Sequence, residues 1–403
     1  MMKTYSSSAE VSIPKFARSE ITLGNLVGQG GFSLVFEVSR IEVDEVFDLS
    51  ETQSKERKEL AEVARQAELG EPKFAIKMLR DDLMEDEHSK GVIDLAVEAR
   101  LLKKLSHPNI ISMKATANSD PLESRFFVIL EILDGTLEDR IDIWRRQITK
   151  TMSIWCGPFG YCCSDKAVLH SLWVDRISVA RSIANAVSYL HRENIIYRDL
   201  KPENIGFDKD GQVKLFDFGL AKKLYNNDRV QHGLFRLTGN TGSLRYMAPE
   251  VALNQFYNLK ADSYSFAFVF WQICSLTIPF AGYNVKMHAD YVLGRGYRPK
   301  IEKSWPFTWS QLIATCWSTD INERLSFDRI FDILDAELTY LKTQNGEKNL
   351  GDVKAKKKVK EVEGANLDVD TRKAFTDGEV AFLEVDGGDD PYSRRNNNSA
   401  EIV

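Results

Sequence analysis

The chain reads as an α+β protein of two lobes, a small β-rich one followed by a large α-rich one. Three observations predict this. Strand-like apolar runs crowd residues 20–131, and beyond Gly135 the patterning turns mainly helical. The most apolar stretch, "SYSFAFVFWQICSLTIPF" at 263–280, falls in the second half, where it suits the buried helix of a large lobe. Ser263, Ser265, Gln272 and Ser275 interrupt it and Asp262 precedes it, so no membrane span is expected.

Residues 1–19 read as an N-terminal extension. "EITLGNLVGQGGFSLVFEVSR" (20–40) places strand-like residues on both sides of a glycine cluster, a hairpin. The charged stretch 41–72 interrupts the pattern as an insert. Ser50 and Gln53 have capping-box spacing there, Leu60, Val63, Ala64 and Ala67 share a helical face, and Gly70 stands where a helix would stop. An inserted surface helix is expected. "KFAIKML" (73–79) is a strand with a lysine in its apolar run. Val92, Ile93, Ala96, Val97, Leu101, Leu102 and Leu105 then trace a helix that carries Glu98 and stops before "SHPN". "RFFVILEIL" (125–133) is a buried strand, so the first lobe spans 20–131 and the second 135–342. The stretch 150–173 has no clear period and reads as a second insert, a loop between two helices. From 343 to 403 Lys, Glu, Asp, Asn and Gly dominate, which predicts a disordered charged tail.

A 403-residue chain with 43% hydrophobic and 28% charged residues can bury a sizeable core. Its net charge of -6 gives no bulk attraction to nucleic acid or anionic lipid, so no nucleic-acid partner is expected and any polyanion must be held by local groups. Five cysteines, an odd number, do not make a disulfide framework, and "MMKTYSSSAEVSIP" has no apolar run behind its lysine. A cytoplasmic protein is expected. The run "KAKKKVK" (354–360) reads first as solvated charge and second as a nuclear address. Cys156, Cys162, Cys163 and His170 fit no usual zinc-ligand spacing and read as free thiols and an ordinary histidine.

The chemistry concentrates elsewhere. In "GQGGFSLV", Gly28, Gly30 and Gly31 let the backbone come close to phosphate oxygens, although a plain hairpin turn has the same composition. Lys77, in its strand, needs a partner on burial, and Glu98 can supply it; taken singly, a snorkelling lysine and a solvated glutamate read as well. Asp199, Asn204 and Asp217, in "YRDLKPEN" and "VKLFDFGLAKK", offer two carboxylates and an amide, the oxygen ligands that Mg²⁺ and a reacting hydroxyl require.

Taken together and in order, the glycine-rich loop, "FAIK", the helix glutamate, "YRDLKPEN", "DFG" and "APE" (248–250) resemble the eukaryotic protein kinases over residues 20–340. The resemblance implies the bilobal kinase fold, with one main helix in the N-lobe, and ATP and Mg²⁺ as cofactors. It implies that Lys77, held by Glu98, grips the α- and β-phosphates under the backbone of 28–35, with Val35 and Ala75 in the nucleotide pocket. Main-chain groups of Glu131 and Leu133 would meet adenine, with Leu130 behind. Asn204 and Asp217 would hold Mg²⁺, and Asp199 would accept the substrate's proton. Lys201, beside the base, goes with Ser/Thr hydroxyls on protein substrates, and Ser243 would touch both Asp199 and Lys201. "CWSTDINERLSF" (316–327) resembles the tyrosine-kinase-like group, with Arg324 pairing Glu250.

Two residues depart from the pattern. Tyr197 stands where the family carries histidine and is expected to stack under Phe218, its hydroxyl needing a partner. Ser33 replaces the third loop glycine, at a position expected to need positive φ less strictly than the first two. Arg198 would dock a phosphate on the following loop, with Thr238 first and Thr241 second as targets of an upstream kinase. The competing class is a catalytically dead scaffold that uses the inserts as docking surfaces; such proteins usually lack the lysine, the base or the metal aspartate, and all are present here.

Overall fold

The computed structural model describes residues 13–44, 51–67, 72–153, 166–230 and 233–346. The described residues up to Lys342 form one compact unit, and the chain is divided from the remainder at Thr343. Ser50, Gly70, Cys156, Cys162, Cys163, the basic run and nearly all of the charged tail lie outside the described residues.

The first lobe is a six-stranded sheet in the order β1-β5-β6-β4-β3-β2. Its strands are β1 (Lys15–Phe16), β2 (Ile21–Gln29), β3 (Ser33–Ile41), β4 (Phe74–Leu79), β5 (Met113–Ala117) and β6 (Phe127–Glu131). All neighbours are antiparallel except β1, which runs parallel to β5. Residues expected to precede the lobe therefore enter its sheet, because Phe16 is an apolar anchor with no exposure at all. The apolar run of β6 is paired on both sides, by β4 and β5. Helix α2 (Glu85–Leu102) buries Val92, Leu95, Ala99 and Leu102 at helical spacing.

The helix expected in the first insert is α1 (Glu51–Ala67), and it is docked rather than peripheral. Ala64 is buried on it, and Arg57 forms a buried ion pair with Glu20 while its guanidinium lies 5.1 Å from the Phe16 ring centroid. The same carboxylate accepts the main-chain N–H of Ala17 and Asp44, each at 2.7 Å, so its lone pairs are well used.

The second lobe is built from α3 (Leu137–Ser153), α4 (Lys166–Arg192), α5 (Pro249–Ala252), α6 (Lys260–Ser275), α7 (Val285–Met287), α8 (Phe307–Cys316) and α9 (Phe327–Gly346). Residues 166–173, read from sequence as loop, open α4; the pattern was hard to see because only Leu172 among them is buried. α6 is the expected buried helix, with every residue from Ala261 to Cys274 inside. A helix end buried this deeply needs partners for its free carbonyls. Arg176 of α4 supplies them, donating to the Ile273 carbonyl at 2.5 and 2.8 Å and also to that of Cys274, and Arg145 donates to Leu276. Among the described residues no helix is long and apolar enough to cross a membrane.

Short strands frame the remaining loops: β8 (Ile195–Ile196) pairs with β11 (Lys222–Lys223), and β7 (Gly135–Thr136), β9 (Ile205–Phe207) and β10 (Val213–Leu215) form a small sheet. They pin both ends of 197–204 and 216–221, the two polar stretches that carry the sequence-predicted chemistry.

Candidate active site

Lys77 leaves β4 among apolar neighbours and bridges two carboxylates, Glu98 of α2 at 2.6 Å and Asp217 at 3.0 Å. Glu98 is almost wholly buried and also accepts the main-chain N–H of Phe218 at 3.1 Å. Burial works against the charge on Lys77, but Asp217 and Glu98 outweigh it and raise its pKa above that of an ordinary lysine. The Lys77 ammonium holds Asp217 below the usual carboxylate range, against the opposing effect of burial. The Asp217 side chain keeps 44% of its surface open to solvent, so one member of this cluster faces outwards. Its backbone is left-handed, φ 62°, a conformation that aspartate tolerates better than most residues.

Asp199 sits at the centre of a second cluster. Its carboxylate accepts Asn204 Nδ2 at 2.8 Å, Lys201 Nζ at 2.8 Å, and both the N–H and the hydroxyl of Ser243 at 2.9 Å. Lys201 also donates to the Ser243 hydroxyl at 2.9 Å, closing a triangle. Charge-assisted bonds of this kind fix a carboxylate's orientation as well as its charge. Gly242, unremarked in the sequence, makes the triangle possible: φ is 96° and an added Cβ would lie 2.3 Å from the Arg198 carbonyl. Glycine directly before a predicted contact residue was the available signal.

The loop that carries Asp199 is tied to the lobe core by Asp262, at the start of α6. One carboxylate accepts the N–H of Tyr197 at 2.9 Å, the N–H of Arg198 at 2.8 Å and a contact from His191 Nε2 at 2.8 Å. Tyr197 is completely buried and meets Phe218 edge-on, with centroids 5.3 Å apart and planes at 73°, so the expected stack is corrected to a T-shaped contact. Its hydroxyl donates to the Phe216 carbonyl, and that bond draws the ring out of parallel. The extra polar atom is thereby satisfied.

The glycine loop joins β2 to β3, where Gly28 pairs with Val35, and Gly30 N–H donates to the Ser33 carbonyl at 2.8 Å. None of Gly28, Gly30 and Gly31 has positive φ, which corrects the left-handed backbone implied for the first two glycines of the loop. A Cβ on Gly30 would lie 3.2 Å from Ser33 Oγ, whereas one on Gly31 would meet nothing within 4 Å, so at Gly31 the backbone stays open to an approaching group. Val35 pairs with Lys77 across the sheet, and Ala75 is buried beside Leu130. At the hinge, the Glu131 carboxylate is occupied by Ser112 N–H and Lys214, whereas the N–H of Leu133 has no protein partner among the described residues.

Arg198, in a left-handed conformation with φ 71°, donates to the Leu220 carbonyl at 2.6 Å and to the exposed Thr238 hydroxyl at 2.8 Å. The Thr241 hydroxyl instead donates to main-chain carbonyls of Thr238 and Gly239. Deeper in the lobe, Arg324 pairs with Glu250 through two bonds of 2.6 and 2.8 Å. His170 contacts the Leu341 carbonyl at 2.9 Å, and Cys274 and Cys316 are buried free thiols.

Comparison with known proteins gives the family: residues 59–334 match the protein kinase domain, and the chain belongs to that family. It is 30% identical over 335 residues to drkD, a probable serine/threonine-protein kinase of Dictyostelium discoideum, covering 82% of this chain and 21% of that one. It is 32% identical over 261 residues to the serine/threonine-protein kinase VIK of Arabidopsis thaliana, covering 63% and 52%. To the serine/threonine/tyrosine-protein kinase HT1 of the same plant it is 28% identical over 263 residues, covering 65% and 59%. The matched region is thus less than two thirds of each relative's length.

Proposed function

We propose that this chain transfers the γ-phosphate of ATP to serine and threonine hydroxyls of protein substrates. The observation that carries the reading is the bridge made by Lys77 between Glu98 and Asp217, the latter 140 positions from the lysine in sequence. It sets an ammonium and an outward-facing carboxylate in one cleft, as phosphate and metal binding require. Lys77 would hold the α- and β-phosphates, the backbone of 28–35 would cover them, and the free N–H of Leu133 would meet adenine. Among the described residues no group of three or more His, Cys, Asp or Glu cages a metal alone. That suits Mg²⁺, which is held by one or two protein oxygens together with substrate phosphates, here Asp217 and Asn204. When bound it would neutralise charge on the transferred phosphoryl group.

Asp199, oriented by Asn204 and Lys201, would accept the proton of the attacking hydroxyl. Serine and threonine are favoured because Lys201 and Ser243 stand beside the base. The test is a γ-phosphate transfer assay on peptides carrying Ser, Thr or Tyr, with Asp199→Asn as the control. Label on Ser and Thr that disappears in the control is expected; label on tyrosine alone, or none, overturns the reading.

The Arg198 bond to Thr238 supports an upstream kinase acting there, Thr241 being second. A phosphate on Thr238 would place about two negative charges against the guanidinium and order the segment. Dependence on ATP, together with buried free thiols, favours the cytoplasm.

A further inference from the structure

A cleft of about 620 Å³ opens between Trp173 of α4, the segment leading into α8, and the later turns of α9. None of its residues belongs to the nucleotide cleft. Its walls carry Trp173, Trp305, Phe307, Trp309 and Tyr340, and its one charged lining side chain is Glu337. Phe307 is 72% exposed and Tyr340 48%, so two of the rings present much of their surface to water. A large aromatic side chain as open as Phe307, beside a concave surface, marks a binding site more often than idle surface.

The charge pattern says what the site would take. Glu337 accepts hydrogen bonds from the Thr308 hydroxyl at 2.8 Å and from Trp309 Nε1 at 2.9 Å. Both donors are neutral, and no cationic side chain among the described residues forms an ion pair with it. A carboxylate fixed in place, without an ion-pair partner among the described residues and lined by aromatic side chains, attracts a cation by charge, and an exposed ring such as Phe307 can add its quadrupole. One wall already does this internally: the Arg176 guanidinium lies 3.7 Å from the centroid of Trp173. A fatty carboxylate or a phosphate would find no basic side chain in the lining, the Arg176 guanidinium lying behind the Trp173 wall and already bonded to the Ile273 and Cys274 carbonyls. The volume exceeds a lone ammonium head and falls in the range of small-molecule sites.

We propose that this cleft binds an alkylammonium cation, free or carried on a methylated lysine side chain. The full chain is titrated by calorimetry and tryptophan fluorescence with choline, with a short trimethyl-lysine peptide, with 3,3-dimethylbutan-1-ol as the uncharged isostere of choline, and with dodecanoate. One of the two cations should bind saturably, and the uncharged isostere about tenfold more weakly than choline or not at all. Whichever cation binds tighter identifies the source. Glu337→Gln should weaken the cation about fivefold or more while leaving basal phosphotransfer unchanged. Phe307→Leu, at an exposed position where folding is not at stake, should weaken it too. Equal binding of the isostere, preference for dodecanoate, or no saturable binding of either cation overturns the proposal.

Discussion

Two buried cation–carboxylate arrangements in this molecule use the same chemistry for opposite ends. Arg324 and Glu250 meet through two parallel bonds, 2.6 and 2.8 Å, with the arginine side chain wholly enclosed. Both oxygens of the Glu250 carboxylate are engaged by one guanidinium, so the pair braces the large lobe. Lys77 instead shares a single point charge between Glu98 and Asp217, which sit on different elements, and one of the three groups opens to solvent. A planar fork matched to one carboxylate cannot exchange partners without a large loss; an ammonium between two acids can give one up to a metal or receive a phosphate. The contrast separates a structural ion pair from a working one without reference to position in the fold.

The largest expected effect breaks the cleft arrangement. Lys77→Met should lower phosphotransfer by about 10³-fold or more, read as kcat/KM. Its stability loss in a urea melt should stay below that of the brace variant, because Glu98 keeps the Phe218 N–H and, with burial already raising its pKa, can take up a proton. Next comes the brace. Arg324→Met leaves the Glu250 charge enclosed without its partner and should destabilise folding by about 3–5 kcal/mol. Adding Glu250→Leu should recover part of that loss, whereas no second apolar substitution should rescue activity in the cleft. Gly242→Ala drives a Cβ against the Arg198 carbonyl at a left-handed position and should cost about 1–3 kcal/mol locally. Faster hydrogen exchange across 197–204 together with a slower transfer rate would register it; unchanged exchange would show that Ser243 needs no such close approach.

The smallest effect sharpens the comparison through pH. Asp94 of α2 lies beside the cleft cluster, with its pKa pushed up to about 6 by burial and by the Asp217 charge. A folded-state value above the ordinary 3.8 means that the folded chain binds this proton more tightly than the unfolded one. The associated stability is complete below pH 3.8 and is lost as pH rises through about 6. Asp94→Asn should therefore stabilise the protein at pH 7.5 by about 1–2 kcal/mol, screening included, with the advantage shrinking as the pH falls towards 5. A pH-independent difference would remove Asp94 from the electrostatics of the cleft.

Much of the candidate site was legible because its residues break local rules: Lys77 interrupts an apolar strand, and Asp199 and Asn204 crowd a loop too polar for a core. The roles of Asp262 and Gly242 were harder to read. Asp262 looks like an ordinary acid at a helix start until three groups, His191 at the end of α4 and the main-chain N–H of Tyr197 and Arg198, are seen to converge on it. Arg57 and Glu20 lie 37 positions apart in unrelated charged stretches, and neither looks like a core residue until α1 is docked. The aromatic cleft draws on α4, α8 and α9 and has no local signature.

By itself, the sequence settled which chemical groups are available and which segments bury themselves, because apolar periodicity and the order of polar interruptions are local properties of the chain. Only the tertiary structure decided which charges are neutralised and which remain free to bind. That depends on distances between groups remote in sequence, and a carboxylate with a paired guanidinium differs from one left open solely by what the fold sets a few ångströms away.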